Sequence, residues 1–154
     1  MNAQELESDV ISETTWIVVA DGDSARFLLR VRPGAKLTEL TELALTAAGE
    51  RRLHTHGTAV HDAVNHGHLV LPAHRNRQDT GEQHFLAHIA GRINLAVEEC
   101  AVGKLAVCAP PRALGLLREH LSEAARRLVV REIPKDLMRE SLHDIDDRLA
   151  GLKV

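Results

Sequence analysis

Arg112 occupies the position in the sequence that best suits a functional residue. It follows the apolar segment Leu-Ala-Val-Cys, which predicts a buried strand, and two prolines that end a strand and suit the first turn of a helix. Ligands of α/β proteins collect where strands end and helices begin. A cation beside the free N–H groups of a helix start favours an anion site, and a charged helix end is the alternative interpretation.

A carboxylate stands at a second strand end. Asp21 follows the apolar segment Thr15–Ala20, where a metal-dependent nuclease would place the first of the carboxylates that hold two metal ions. The other carboxylates do not appear, because the first long predicted helix carries its glutamates, Glu82, Glu98 and Glu99, near its ends. The sequence therefore favours a turn-forming role for Asp21.

Histidines are concentrated in one segment, since six of the ten lie between Thr46 and Gln78. Neutral imidazole ligates zinc, copper and nickel, and two pairs stand two residues apart. The candidate ligands are His54, His56, His66 and His68. No cysteine joins them and no HExxH motif fixes a geometry, so a metal site is an alternative only. The chain also lacks a phosphate-binding glycine-rich loop, and no cofactor is predicted.

The same segment, residues 46–78, is rich in arginine and shows no sustained hydrophobic period. Its arginines are Arg51, Arg52, Arg75 and Arg77, against two acidic residues. Guanidinium groups contact the phosphates of nucleic acids, although four arginines over such a length also suit an ordinary surface. An insert this long without secondary structure is either functional or disordered.

Composition indicates one soluble domain of 154 residues with a net charge of −3. Four of the 22 acidic residues lie in residues 1–14, predicted to be a loosely ordered acidic tail, so the rest carries 18 acidic against 19 basic residues. Scarce aromatic residues argue against a base-stacking platform. No signal peptide or membrane span is recognisable, so a cytoplasmic location without membrane contact is expected. The two cysteines are predicted to be buried structural thiols.

Hydrophobic patterning predicts an α/β fold with a mixed five-stranded sheet. Residues 15–154 form the single domain, and its strands are expected at Thr15–Ala20, Ala25–Val31, Leu37–Leu45, Lys104–Ala109 and Leu128–Ile133. The third is ambiguous, because leucines recurring every three residues also suit a helix. The first long helix is expected to start at Asp79 or Thr80, where Thr80 and Gln83 match a capping box. Right-handed crossovers give the order 3-2-1-4-5, as in ribonuclease H-like proteins.

Three motifs resemble the bacterial host-attachment family, proteins described as required for attachment to host cells. They are Trp-Ile-Val-Val-Ala-Asp-Gly from Trp16, Val-Cys-Ala-Pro-Pro-Arg from Val107 and Glu-Ile-Pro-Lys-Asp-Leu from Glu132. The resemblance covers most of residues 15–149 and adds Lys135 and Asp136 to the candidate site. That family is similar in turn to the middle domain of archaeal and eukaryotic peptide-chain release factors. Their Gly-Gly-Gln motif is missing from residues 46–78.

We therefore expect a non-catalytic binding module that meets the ribosome, tRNA or another structured RNA through residues 46–78. One alternative is a hydrolase of an ester or phosphate with Asp21, Arg112, Lys135 and Asp136 converging at the strand ends. A second alternative is a metal-binding protein that uses the loop histidines. The sequence predicts no oligomeric state.

Overall fold

The structure is a computed structural model that describes residues 9–47, 49 and 73–150, and of residues 73–78 it describes the backbone alone. The strands are β1 (Thr15–Ala20), β2 (Ser24–Arg30), β3 (Thr38–Glu39), β4 (Leu45–Thr46), β5 (Lys104–Cys108) and β6 (Val129–Ile133). The helices are α1 (Ala73–Glu98), α2 (Pro111–His120), α3 (Glu123–Leu128) and α4 (Leu142–Ala150).

These elements form one mixed sheet. The path runs β3-β2-β1-β5-β6, and the short strand β4 pairs with β2 off this path. β1 and β2 form the predicted antiparallel hairpin, whereas β5 lies parallel to β1 and β6 parallel to β5. The predicted α/β class is confirmed, and within residues 9–47, 49 and 73–150 the sheet has six strands where five were predicted.

The sixth strand comes from the segment predicted as one strand, Leu37–Leu45. β3 and β4 are two residues long and flank a 3₁₀ turn at Thr41–Leu43. A 3₁₀ helix has three residues per turn, which accounts for the spacing of Leu40 and Leu43. Both leucines pack against the core on the side of the sheet that carries α1 and α2. The prediction of a single strand at Leu37–Leu45 was therefore wrong in detail.

Side chains alternate between two cores on the opposite faces of the sheet. From β1, Val18 and Ala20 join the core beneath α1 and α2, whereas Ile17 and Val19 join the core beneath α4. The four side chains are at most 1% exposed. Strands covered on both faces read as continuous apolar runs, which is why the β1 and β5 segments are recognisable from the sequence.

Helix α1 begins earlier than the capping box predicts. It starts at Ala73, so Asp79 and Thr80 lie inside it, and residues 73–78 are helical where a loop was predicted. A Thr–Gln pair three residues apart also fits a helix interior, so the motif was misleading.

The helix after β5 is interrupted rather than continuous. α2 ends at His120 and α3 begins at Glu123 with Ser122 as its N-cap, whose Oγ accepts the N–H of Ala125 at 3.2 Å. Asn94 of α1 bridges the break, donating from Nδ2 to the His120 carbonyl (3.1 Å) and accepting the Ser122 N–H (2.8 Å). One side chain thus satisfies two of the backbone groups that the interruption leaves without helical partners.

The amino-terminal segment differs from the prediction. Residues 9–13 are helical, where a loosely ordered tail was predicted. The N–H groups of Gly103 and Lys104 both donate to the Thr14 carbonyl.

The two cysteines differ in burial. Cys108 is buried as predicted, but Cys100 is exposed and adopts a left-handed φ of 56° just beyond the end of α1. The helix needs that conformation to close its last turn, and the sequence supplies cysteine where glycine is usual.

Replacing Gly103 with alanine is expected to lower the free energy of unfolding by about 1–3 kcal/mol. A Cβ atom there would overlap the Ile11 carbonyl oxygen and lie 2.8 Å from the Ser12 Cα, both backbone atoms that cannot rotate away. Urea denaturation followed by circular dichroism measures the change.

Gly91→Ala is the matched control. Gly91 lies inside α1 with no atom near its missing Cβ, so alanine should raise the free energy of unfolding by about 0.5–1 kcal/mol. Equal effects from the two substitutions would contradict the packing of residues 11 and 12 on Gly103.

Candidate functional site

The candidate site lies at the carboxyl ends of the three parallel strands. β1, β5 and β6 run in one direction, so the residues that follow them emerge at one edge of the sheet. A hydrogen bond from Ala109 N–H to the Ile133 carbonyl (3.1 Å) holds two of these strand ends together. The elements that carry the four predicted residues are therefore neighbours, as the sequence predicts.

Asp21 uses its carboxylate within its own turn. Oδ1 accepts the backbone N–H groups of Asp23 (2.8 Å) and Ser24 (2.7 Å), and the Asp21 N–H donates to the Ser24 carbonyl (3.0 Å). These bonds close the β1–β2 turn. The arrangement is the one that the turn-forming interpretation predicts for an aspartate at this point.

Arg112 reaches across to α1 rather than outward. Its Nη2 lies 2.7 Å from Asp79 Oδ1 and its Nε lies 3.3 Å from Glu82 Oε2. The Arg112 side chain is 57% exposed, against 46% for Asp79 and 23% for Glu82. Two carboxylates thus balance the charge of the predicted anion site, and the ion pairs join the start of α2 to α1.

Glu82 extends this connection to the β1–β2 turn. A Cβ atom on Gly22 would lie 3.1 Å from both Cγ and Oε1 of Glu82, so the glutamate packs directly on the glycine. Sequence reasoning missed Asp79 and Glu82 as partners of Arg112. The signal was weak, because about thirty residues separate the partners and the placement of α1 beside α2 has to be known first.

Lys135 and Asp136 follow β6 in an exposed turn. Asp136 Oδ1 accepts the Met138 N–H at 3.0 Å, and the Lys135 N–H donates to the Ile133 carbonyl at 2.8 Å. The turn directs Leu137, 1% exposed, into the core beneath α4. The Pro-Lys-Asp-Leu motif therefore has a structural role in returning the chain to the sheet.

Arg26 holds the segment that follows that turn in place. Its Nε and Nη2 bind both carboxylate oxygens of Glu39 (2.9 and 3.0 Å), and its Nη1 donates to the carbonyls of Met138 (3.2 Å) and Glu140 (2.8 Å). The hydrogen bonds from Arg26 hold the pKa of the Glu39 carboxyl below its usual value. An arginine on β2 thus fixes the segment between β6 and α4.

The four predicted site residues bond to other groups rather than to one another within residues 9–47 and 73–150. Burial raises the pKa of the Cys108 thiol, at the end of β5, to about 11, which disfavours its thiolate form at neutral pH. In the same described ranges no three histidine, cysteine or acidic side chains are grouped so as to hold a metal ion.

The predicted loop residues fall largely outside the described part of the chain. They are Arg51, Arg52, His54, His56, His66 and His68, and their proposed roles stay predictions. Arg75 and Arg77 lie on the helical backbone at the start of α1. Among the described helices, none is long and apolar enough to cross a membrane.

Comparison with known proteins adds a family and a fold. The model of the family described as "Protein required for attachment to host cells" matches residues 16–149. No curated protein matches the chain. The crystal structure of the archaeal translation termination factor aRF1 is similar, with a TM-score of 0.52 and 12% sequence identity. The match covers 98% of this chain and 42% of that one, and at this identity it shows the fold alone.

The ion pair between Arg112 and Asp79 is expected to contribute about 0.2–1 kcal/mol, because both side chains are half exposed. A double-mutant cycle with Arg112→Gln and Asp79→Asn, measured by urea denaturation at low salt, gives this coupling energy.

Arg92→Gln with Asp79→Asn is the control cycle, since the two residues are about 20 Å apart along α1 and should not couple. Zero coupling between Arg112 and Asp79 would contradict this ion pair and leave Glu82 as the carboxylate that faces the guanidinium.

Proposed function

The chain belongs to the family of proteins required for attachment to host cells, and from this premise we propose that it is a non-catalytic binding module for the ribosome or another structured RNA. The contact surface is the arginine-rich segment 46–78, with Arg51, Arg52, Arg75 and Arg77 on phosphates. A cytoplasmic location is part of the proposal, because such a partner is found there.

The observation that carries this proposal is the length of α1 beyond the sheet edge. Glu82 packs on Gly22 at the carboxyl ends of the strands, and α1 starts nine residues earlier at Ala73. At 1.5 Å per residue the helix continues about 13 Å past this contact. Arg75 and Arg77 belong to that extension, and Arg51 and Arg52 precede it in sequence.

The pairing of charges supports a binding role. Asp21 and Asp136 accept hydrogen bonds within their own turns, and Arg112 is balanced by Asp79 and Glu82. Such groups hold the strand ends in shape, and they are not arranged as an acid, a base and a nucleophile around one substrate position. By contrast, segment 46–78 has a basic excess in its sequence.

The similarity to a translation termination factor favours the ribosome among structured RNAs. The chain lacks the Gly-Gly-Gln motif, which triggers peptidyl-tRNA hydrolysis in the release factors that the family resembles, so this reaction is not part of the proposal. The hydrolase with Asp21, Arg112, Lys135 and Asp136 stays a prediction, as does metal binding by the loop histidines, and no contact among the described residues favours either.

Wild-type protein is expected to co-sediment with purified ribosomes at low salt and to dissociate as salt rises. Each arginine–phosphate contact steepens the dependence of log K on log salt by about 0.7–1. Replacing Arg51, Arg52, Arg75 and Arg77 with alanine should flatten the slope by about 3–4. A sedimentation series from about 50 to 200 mM salt measures the slopes.

The control variant removes the same charge elsewhere. Arg32, Lys36, Lys104 and Arg139 are exposed cations outside segment 46–78, and replacing these four with alanine should leave the slope within about 1 of wild type. Absent or salt-independent binding would refute the RNA proposal, and so would equal losses in the two quadruple variants.

A further inference from the structure

An open groove with a volume of about 600 Å³ lies beside the edge strand β6. Leu121 and Val129 contribute apolar surface to it, and Val130 is 45% exposed. The rest of the lining is charged and consists of Arg118, Glu119, Arg126, Arg131 and Glu132. The groove therefore offers an occupant both apolar surface and ionic partners.

Among the described residues, two of the three arginines in the groove have no carboxylate partner. Arg118 pairs with Glu132, its Nε lying 2.8 Å from Oε1. Arg126 donates instead to the backbone carbonyls of Arg118 (2.9 Å) and Glu119 (3.3 Å), near the end of α2. No ion pair in the described part of the chain includes Arg131. An occupant that carries carboxylates would therefore complement the charge of the groove.

β6 adds backbone groups to this surface. It ends the path of the sheet, and within residues 9–47 and 73–150 no strand pairs with its outer side. The Ile133 carbonyl faces β5, since it accepts the Ala109 N–H. Backbone groups of successive strand residues point to opposite sides, so the N–H and C=O of Glu132 face outward. An extended segment can therefore bond to β6 as an additional strand.

The two faces of β6 differ in chemistry. Leu121 and Val129 belong to the core beneath α1 and α2, whereas Arg131 pairs with Ala106, whose side chain joins the core beneath α4. A strand added to this edge alternates between the same two faces. It would therefore place apolar side chains near Leu121 and Val129 and acidic side chains beside Arg131, which requires an alternating sequence.

A second copy of the chain has the wrong sequence for this edge. Side chains directly opposite each other in an antiparallel pair share a face of the sheet. Arg131 shares its face with Ile133, whereas Glu132 lies on the other face, opposite Val107. Symmetric antiparallel pairing of two β6 strands thus places Arg131 opposite a second Arg131 or an Ile133, and not opposite a carboxylate.

The lining also favours a protein segment over RNA. Glu119 and Glu132 would repel phosphates, and no lining residue is aromatic, so bases would have no stacking partner. Apolar surface from Leu121 and Val129 suits side chains instead.

We propose that β6 and this groove bind an extended acidic segment of a partner protein by strand addition. Apolar side chains of the segment lie against Leu121 and Val129, carboxylates on its other face lie beside Arg131, and its backbone bonds to Glu132. The site lies outside segment 46–78 and takes protein rather than RNA, so it is independent of the proposed function.

A capped peptide of alternating glutamate and valine, about six residues long to match a typical strand, is the probe. Titration followed by NMR should give saturable shifts at the amides of residues 129–133. Two N-methylated forms test strand addition, one methylated at the glutamate nitrogens and the other at the valine nitrogens. Only one of these sets of N–H groups can face β6, so one form should bind like the parent and the other should not bind.

Charge exchange tests the contact with Arg131. Arg131→Glu should weaken binding of the glutamate peptide by about tenfold, and a peptide with lysine in place of glutamate should bind this variant more tightly than wild type. Arg127→Glu is the matched control, because Arg127 is 75% exposed and outside the lining, and it should change binding by less than about twofold. Circular dichroism checks that both variants fold, and the N-methylated peptides need no variant.

Four results would overturn the proposal. The first is the absence of saturable binding, and the second is equal binding of the two N-methylated forms. The third is slow hydrogen exchange at the Glu132 amide of the free protein, which would mean that its own chain covers the edge or, if protection rises with protein concentration, that a second copy does. The fourth is displacement of the peptide by an oligouridine of equal charge, which would assign the groove to RNA.

Discussion

The parallel pairing of β1 and β5 is the constraint on which the rest of the molecule depends. Both strands are covered on both faces over residues 17–20 and 105–108, whose side chains are apolar and at most 3% exposed. At about 25 cal/mol per Å² of buried apolar surface, such a centre dominates the favourable free energy of folding. It also leaves no place for polar chemistry inside the sheet, so every functional group has to lie at a strand end, on a helix or in the long insertion.

Polar side chains then connect, by ion pairs and hydrogen bonds, elements that the sheet does not join. Arg112 connects α2 to α1, Asn94 bridges the break between α2 and α3, and Arg26 ties β2 and β3 to the turn after β6. Exposed ion pairs of this kind contribute little stability. Their effect is positional, because each satisfies backbone or charged groups that would otherwise be unpaired where two elements meet.

The central strands and their order could be predicted, because strands that are buried on both faces appear in the sequence as unbroken runs of apolar residues. A local cap is also present at the start of α4, where Ser141 Oγ accepts the Asp144 N–H at 3.1 Å, and serine is a residue type that the sequence alone marks as a helix cap. The start of α1 could not be predicted, because a Thr–Gln pair three residues apart resembles a helix cap wherever it occurs. The partners of Arg112 could not be found either, since pairing over thirty residues depends on helix packing that no local pattern records.

The most direct test of an RNA-facing basic segment is ultraviolet cross-linking in intact cells, followed by sequencing of the attached RNA and mass spectrometry of the attached peptides. Ribosomal or transfer RNA joined to peptides from residues 46–78 is the expected result. RNA joined only to peptides from residues 104–150, or no attached RNA above the level of an unrelated protein of similar charge, would contradict the proposed function.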